Sequence, residues 1–194
     1  MKHIALLKDQ SDYEKVLTDD PVLNLIGTKG SGKTTETLPY IEDDTCIVVN
    51  CDRLLELPTD EKEDQELSSI REILKKKYGK LEDGMDFGPC YQEIVSYILN
   101  KKKQAIIEGN IIQDMDVSLL RGKVIVKRTG IWKSYVRSVK RDYQNSYFMN
   151  LEKEKHPYFY KITRFFQIAK RRKSVFQQAK EIEKIIRQLD EKQD

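Results

Sequence analysis

The sequence predicts an α/β fold with a short, mostly parallel sheet, and two observations support this prediction. Four short apolar runs have the composition of strands that are buried on both faces of a sheet. Segments with helical spacing separate these runs, and such alternation produces β-α-β units with right-handed crossovers. The predicted strands are residues 22–26, 45–50, 104–107 and 124–127.

The predicted helices carry apolar residues at spacings of three and four. Two such stripes precede the third strand: Leu67, Ile70, Leu74, Tyr78; and Tyr91, Ile94, Val95, Ile98. After Lys127 the chain is predicted to be helical, with helices at about 132–147, 157–172 and 174–191. The stripe in the last helix predicts packing on the sheet or a neighbouring helix. Residues 3–7 (HIALL) are a further strand candidate, and Ser11 is a candidate cap for a short helix through Val16.

Length and composition predict one soluble domain over residues 1–194, with a helical lid region at about 129–173. The hydrophobic fraction is 39% and the charged fraction 35%, which indicates a globular chain with a heavily charged surface. No apolar run approaches the roughly 18 residues of a membrane-spanning helix, and the apolar stretch at the start is too short for a signal peptide. We therefore expect a cytoplasmic protein without a membrane partner. Its oligomeric state is not predicted.

Cysteine and histidine usage argues against several classes of site. The three cysteines lack the spacing of a zinc site, and their odd number favours reduced thiols with a structural role: Cys46, Cys51, Cys90. The two histidines, His3 and His156, lie far apart in the sequence. A histidine-based metal site or a Ser/His/Asp hydrolase is therefore disfavoured.

Charge is distributed unevenly along the chain. Residues 41–70 hold ten acidic and two basic side chains, whereas residues 131–180 hold thirteen basic and three acidic ones. A basic stretch of this kind can cover a polyphosphate or follow nucleic acid. Composition alone does not separate the two.

Residues 27–34, GTKGSGKT, fit the phosphate-binding pattern GxxxxGK[ST] directly after a predicted strand. Its glycines let backbone N–H groups approach phosphate oxygens at a helix N-terminus. Lys33 is expected to reach the β- and γ-phosphates and Thr34 to complete Mg²⁺ coordination. The sequence thus predicts ATP and Mg²⁺ as cofactors, although the loop itself specifies no base. The predicted binding residues are Gly27, Thr28, Lys29, Gly30, Ser31, Gly32, Lys33, Thr34 and Thr35.

This loop, a strand ending near Asp52 (CIVVNCD), a later strand ending at Glu108 (AIIEG) and the basic segment together resemble P-loop kinases of the nucleoside-monophosphate-kinase type. The resemblance extends to the branch of small-molecule kinases, polynucleotide 5′-kinases and zeta-toxin-like kinases, and covers roughly residues 22–145. It implies a three-layer α/β/α P-loop NTPase domain with a helical basic lid and C-terminal helices. The chain departs from the family because no strand follows Lys127, so either the sheet has four strands or residues 3–7 supply the missing edge.

The resemblance implies catalytic roles for Lys33 and for two carboxylates. Asp52 would orient or deprotonate the acceptor hydroxyl; the alternative is a surface acid or a partner of Arg53. Glu108 would hold Mg²⁺, directly or through water, or polarise a water; the alternative is a capping acid.

Two arginines of the predicted lid complete the candidate site. Arg137 and Arg141 lie four residues apart, hence on one helix face, where they can grip phosphate oxygens. The resembled kinases use lid arginines to stabilise charge on the transferred phosphoryl group. Arg128 is a further candidate, and ordinary exposed arginines are the alternative for the pair.

Aromatic residues interleave with the basic region and have two interpretations. They could be stacking platforms for bases or parts of helix cores. The stripe Tyr158, Ile162, Phe165 and Ala169 favours packing, while Arg171, Arg172 and Lys173 form the best patch for an anionic polymer or protein partner.

We therefore expect an ATP-dependent kinase acting on a small-molecule or nucleotide acceptor. Two alternatives are a P-loop ATPase that acts as a partner-binding switch and a kinase for the 5′ end of a nucleic acid. A GTPase is disfavoured because the chain has neither a DxxG segment nor an [NT]KxD motif.

Overall fold

The computed structural model describes residues 3–5, 20–41, 46–55, 65–81, 85–127, 129–144 and 146–190. The strands are β1 His3–Ala5, β2 Val22–Gly27, β3 Cys46–Asn50, β4 Gln104–Glu108 and β5 Lys123–Lys127. The helices are α1 Lys33–Ile41, α2 Cys51–Leu55, α3 Gln65–Tyr78, α4 Gly88–Lys101, α5 Ile131–Gln144, α6 Ser146–Lys155 and α7 Tyr160–Asp190. Two short 3-10 helices span Ile111–Asp114 and Val117–Leu119.

The strands form one parallel sheet in the order β1-β5-β2-β4-β3. The central strand β2 places Leu25 opposite Glu108 of β4 and Ile125 of β5. The strand β1 pairs with β5 at the edge of the sheet. The N-terminal segment therefore supplies the fifth strand, which the resembled kinases form from residues after the lid. Residues 6 and 7 of that predicted strand, and the predicted helix at Ser11, lie outside the described residues.

Helices cover both faces of this sheet. On one face, Val22 and Ile26 of β2 belong to a large buried cluster that includes residues of α3, α4 and α7. On the other face, Leu23 and Leu25 pack in a smaller cluster with Tyr40 of α1. The predicted α/β class with a parallel sheet is confirmed, and its layering is compatible with a three-layer arrangement.

The C-terminal helices differ from the prediction. The expected break near residue 173 is wrong, because α7 runs without interruption from Tyr160 to Asp190. No glycine or proline occurs within this stretch, so nothing in its local chemistry ends a helix there. The separate helix α6 was not predicted. None of the described helices, including α7, is both long and apolar enough to cross a membrane.

The aromatic stripe at the beginning of α7 is exposed, so the prediction that it packs is wrong. Tyr158 is 90% exposed, Ile162 55% and Phe165 66%. Other positions in this part of the helix are buried, namely Ile168 and Arg164, and Gln167 donates a hydrogen bond to Glu152 of α6 (2.6 Å). In contrast, the predicted stripe near the C-terminus is buried, as expected, at Val175, Ile182 and Ile186.

The sequence did not predict a buried polar network near the amino ends of β2 and β5. Asn24 of β2 donates to the carbonyl of Arg121 (2.6 Å) and accepts from the Tyr91 hydroxyl (2.8 Å). The Arg121 N–H in turn donates to that hydroxyl (3.0 Å), and burial raises the pKa of Tyr91 to about 12. These bonds satisfy polar groups that would be costly to bury unpaired, so the network joins β2, α4 and the segment before β5.

Candidate functional site

The predicted phosphate-binding loop lies between β2 and α1, as its sequence context requires. The Ser31 N–H donates to the Thr28 carbonyl (3.0 Å) and closes a turn within the loop. Gly30 and Gly32 have φ angles of +81° and +97°, a region that side chains with a Cβ rarely adopt. Gly30 and Gly32 are therefore required by the backbone conformation of the loop.

Lys33 is the first residue of α1, and its ammonium group folds back onto the loop. Its Nζ donates to the carbonyls of Gly27 (2.6 Å) and Thr28 (3.3 Å), and the residue is 8% exposed. Burial lowers the pKa of Lys33 to about 8, an effect that the nearby carboxylates of Glu108 and Asp52 oppose. The lysine is thus a buried cation in the field of both predicted acids.

Glu108 ends β4 and is held in place from the neighbouring strand. Its Oε1 accepts a hydrogen bond from Nδ2 of Asn50, the last residue of β3 (2.9 Å). Burial raises the pKa of Glu108, while Lys33, the Thr34 hydroxyl and Asn50 act to lower it. Its Oε2 is buried without a hydrogen-bond partner among the described residues. The structure therefore brings Glu108 and Thr34 together, as predicted, and leaves one carboxylate oxygen available.

Asp52 lies just after β3, and its carboxylate is held from the carboxyl end of β4. Its Oδ1 accepts from the N–H groups of Asn110 (2.8 Å) and Ile111 (3.3 Å), and its Oδ2 accepts from Nδ2 of Asn110 (2.8 Å). Asp52 is therefore a half-buried carboxylate held by three hydrogen bonds. It joins the carboxyl ends of β3 and β4 and caps the 3-10 helix that starts at Ile111.

Of the two arginines of the predicted lid, Arg137 lies at the loop and Arg141 acts on it through its charge. A Cβ built on Gly32 would have Nη1 of Arg137 as its nearest neighbour, at 3.8 Å. The charge of Arg141 contributes to the lowered pKa of Lys33, which places it in the same electrostatic field. Both side chains are exposed on α5. Arg128, the third arginine candidate, lies outside the described residues.

Two further contacts hold α5 and α7 against the loop. The Thr28 hydroxyl donates to the buried hydroxyl of Ser134 (3.0 Å), and a Cβ on Gly30 would lie only 2.4 Å from the Ser134 carbonyl oxygen. The Lys29 N–H donates to Oε1 of Gln178 on α7 (2.9 Å). Sequence reasoning missed both residues. The small residues Ser134 and Ser138, four apart and both fully buried, were a signal for close approach of a helix.

The donor set suits magnesium better than a metal that needs an all-protein cage. Among the described residues, no group of three or more His, Cys, Asp or Glu side chains could hold a metal ion. Mg²⁺ needs one or two carboxylates when substrate phosphates and water complete its shell. Glu108, with its unpaired Oε2, and the hydroxyl of Thr34 fit this requirement. The three cysteines are buried and free, consistent with structural thiols.

Comparison with known proteins assigns no family to this geometry. No family model matches the chain, and no curated protein or solved structure matches it either. The resemblance to nucleoside-monophosphate-kinase-like P-loop kinases therefore stays a prediction, and function is inferred from the chain's own residues and distances.

Proposed function

We propose that this chain is a kinase of the P-loop NTPase type, which binds ATP with Mg²⁺ and transfers the γ-phosphoryl group to a small-molecule or nucleotide acceptor. One observation carries the proposal. Lys33, Glu108 and the guanidinium of Arg137 converge on a glycine loop whose φ angles suit phosphate binding. This combination supplies a site for the phosphates, a carboxylate for the metal and cations for the developing charge.

Donor binding uses the loop and the first turn of α1. Backbone N–H groups at the start of this nine-residue helix attract phosphate oxygens because they have no partners within the helix. Lys33 exchanges its bonds to the Gly27 and Thr28 carbonyls for bonds to phosphate oxygens. With a pKa of about 8, it carries its charge at neutral pH.

The metal side of the site rests on Glu108. A buried carboxylate oxygen without a partner is unfavourable in a protein interior, and a bound cation relieves that cost. Thr34 and Glu108 would hold Mg²⁺, which supplies charge neutralisation across the β- and γ-phosphates. Asn50 orients Glu108 by occupying its other oxygen.

The lid arginines favour phosphoryl transfer over simple nucleotide binding. Arginines that contact the transferred group stabilise its charge in the transition state, an effect on the order of 10³ or more in rate. We assign Asp52 a positioning role on the acceptor side, because three donors occupy its carboxylate. It would hold Asn110 and the Gly109 peptide at the edge where an acceptor binds.

The test is phosphoryl transfer from γ-labelled ATP to a panel of nucleosides, nucleotides, sugars and oligonucleotide ends. We expect Arg137→Ala and Arg141→Ala to lower kcat by about 10²- to 10³-fold with little change in ATP affinity. Lys140→Ala is the matched control, because Lys140 is an exposed cation on the same helix. If ATP is hydrolysed while no acceptor becomes labelled, the proposal is wrong.

A second candidate is an ATPase that switches partner binding. The observation that favours it is the hydrogen bond from the Lys29 N–H to Gln178, which connects the loop to α7 and its exposed apolar side chains. Size-exclusion chromatography with and without a non-hydrolysable ATP analogue tests it. Assembly that depends on the analogue supports the switch, and an unchanged elution volume argues against it.

A further inference from the structure

Exposed or half-buried aromatic side chains lie just before α7, on α7 itself and at the start of α5. Their exposed fractions are 90% for Tyr158, 65% for Phe159, 66% for Phe165, 64% for Phe166 and 59% for Trp132. A group of exposed apolar side chains marks an interaction site more often than single exposed residues do. We call the following residues the aromatic track: Trp132, Tyr158, Phe159, Phe165, Phe166, Phe176.

The track extends from the beginning of α7 to the neighbourhood of the phosphate loop. Phe165 contacts Phe166 edge-on (6.0 Å between ring centroids), and Trp132 contacts Phe176 in the same way (5.8 Å). Phe165 and Phe176 are three helical turns apart and so lie on one side of α7. Phe176 is close in sequence to Gln178, which binds the loop. From Tyr160 to Phe176 the helix rises by about 24 Å.

Positive charge accompanies these rings. Residues 131–180 carry thirteen basic and three acidic side chains, and Lys133, Lys140 and Lys161 are exposed. The exposed Lys161 lies one helical turn before Phe165, on the same side of α7. An exposed cation therefore lies beside the exposed rings at the start of α7.

We propose that single-stranded nucleic acid binds along the aromatic track. Its bases stack on exposed rings while its phosphates meet the interleaved cations, the combination used by proteins that bind single strands without sequence preference. The length of the track exceeds that of a small-molecule acceptor and suits a strand of about seven stacked nucleotides at 3.4 Å each.

Charge complementarity selects this partner over two others. A two-fold interface between copies of this chain would place the same basic face against itself, which is unfavourable. A bilayer would have to take up the cationic positions that lie among the rings on the apolar face, which is costly in hydrocarbon. A polyanion instead gains from exposed lysines near the rings, such as Lys161, one turn from Phe165.

The inference is independent of the proposed kinase activity, because the rings lie outside the phosphate loop. Lys33→Ala removes the phosphate-binding lysine and should leave binding of an oligonucleotide unchanged. Failure of the kinase proposal and failure of the track are thereby distinguishable.

Trp132 provides the readout, since it is the single tryptophan of the chain and part of the track. Titrating the full chain with a 12-nucleotide oligothymidylate should quench its fluorescence, with an affinity that falls steeply as salt rises. In fluorescence anisotropy with the labelled oligonucleotide, Phe165→Ala/Phe166→Ala should weaken binding at least about tenfold. Leu99→Ala is the matched control: Leu99 is 50% exposed on α4, away from the track. Lys161→Glu is a second, independent variant and should also weaken binding.

Any of four results would overturn the proposal. The first is no binding of the oligonucleotide at low salt. The second is equal affinity for the double variant and Leu99→Ala, with Lys161→Glu also unchanged. The third is loss of binding in Lys33→Ala, which would place the strand in the phosphate loop. The fourth is track-dependent association with anionic phospholipid vesicles or self-association, without oligonucleotide binding. Circular dichroism of each variant confirms that its helices are intact.

Discussion

The two halves of α7 share a spacing of apolar residues but differ in what covers them. In the C-terminal half, Val175 is fully buried and Ile182 and Ile186 are 5% exposed. In the N-terminal half, Ile162 is 55% and Phe165 66% exposed. Strands β1 and β2 and the two 3-10 helices contact α7, and α6 also packs against α7. An apolar stripe thus identifies a helix face, whereas the elements around it decide whether that face is core or surface.

The largest expected effect comes from the same substitution in the two halves. We expect Ile182→Ala to lower the free energy of unfolding by about 2 to 5 kcal/mol, because it leaves a cavity in the core. Ile162→Ala should change it by less than about 0.5 kcal/mol, since that side chain is mostly in solvent. Urea denaturation measures both. Equal losses would mean that both halves are packed.

Buried and exposed lysines provide the next comparison. Burial shifts the pKa of Lys33 from 10.5 to about 8, which corresponds to about 3 kcal/mol against charging it in the fold. Lys33→Met should therefore raise the free energy of unfolding at pH 7 by up to about 3 kcal/mol. The loss of the two hydrogen bonds from Lys33 to the Gly27 and Thr28 carbonyls makes this gain smaller. Lys161→Met, at an exposed position of α7, should have little effect.

The pH dependence of the Lys33 effect has a definite sign. Between about pH 8 and 10.5 the unfolded chain binds a proton that the folded chain has released, so wild-type stability rises in this window relative to Lys33→Met. Lys33→Met should therefore be more stable than wild type by a smaller margin at about pH 9.5 than at about pH 7. Denaturation at the two pH values measures this difference in the free energy of unfolding. If the stability difference between the two proteins is the same at both pH values, burial does not lower the pKa of Lys33.

Two glycines have similar φ angles but different surroundings, because one lies in a packed turn and the other in an open one. Gly30 (φ +81°) would place a Cβ 2.4 Å from the Ser134 carbonyl, whereas Gly79 (φ +76°) has nothing within 4 Å. Gly79→Ala should cost about 1 kcal/mol from the dihedral angle alone. Gly30→Ala should cost about 2 to 3 kcal/mol because α5 must also move. Thermal denaturation compares them, and equal costs would show that α5 does not press on the loop.

The smallest expected effect concerns the contact between α7 and the loop. Gln178→Ala removes the acceptor of the Lys29 N–H and should lower the free energy of unfolding by about 1 kcal/mol. Gln177→Ala is the control, because the exposed Gln177 side chain donates only a long hydrogen bond (3.2 Å) to Glu181 on the same helix. Equilibrium denaturation decides between them. If the two variants behave alike, the hydrogen bond to the loop contributes nothing.

Much of the sheet and part of the site could be predicted from local patterns. Apolar runs located β2 to β5 to within one residue at each end, because a strand buried on both faces has a distinctive composition. The spacing of glycines and Lys33 identified the loop, since its backbone conformation tolerates few other residues there. The environments of Asp52 and Ser134 could not be predicted, because their partners are far away in sequence: Asn110 and Thr28.

The sequence by itself determined the alternation of strands and helices, the phosphate-type loop and the charge of the C-terminal region. These features depend on residue type and short-range spacing. Only the tertiary structure decided that β1 closes the sheet edge, that Arg137 lies over Gly32, that Asp52 is occupied by three donors, and that the aromatic residues of α7 face solvent. Each of these features depends on contacts between segments that are far apart in sequence. Such contacts form only when the segments pack together, so residue type and short-range spacing do not specify them.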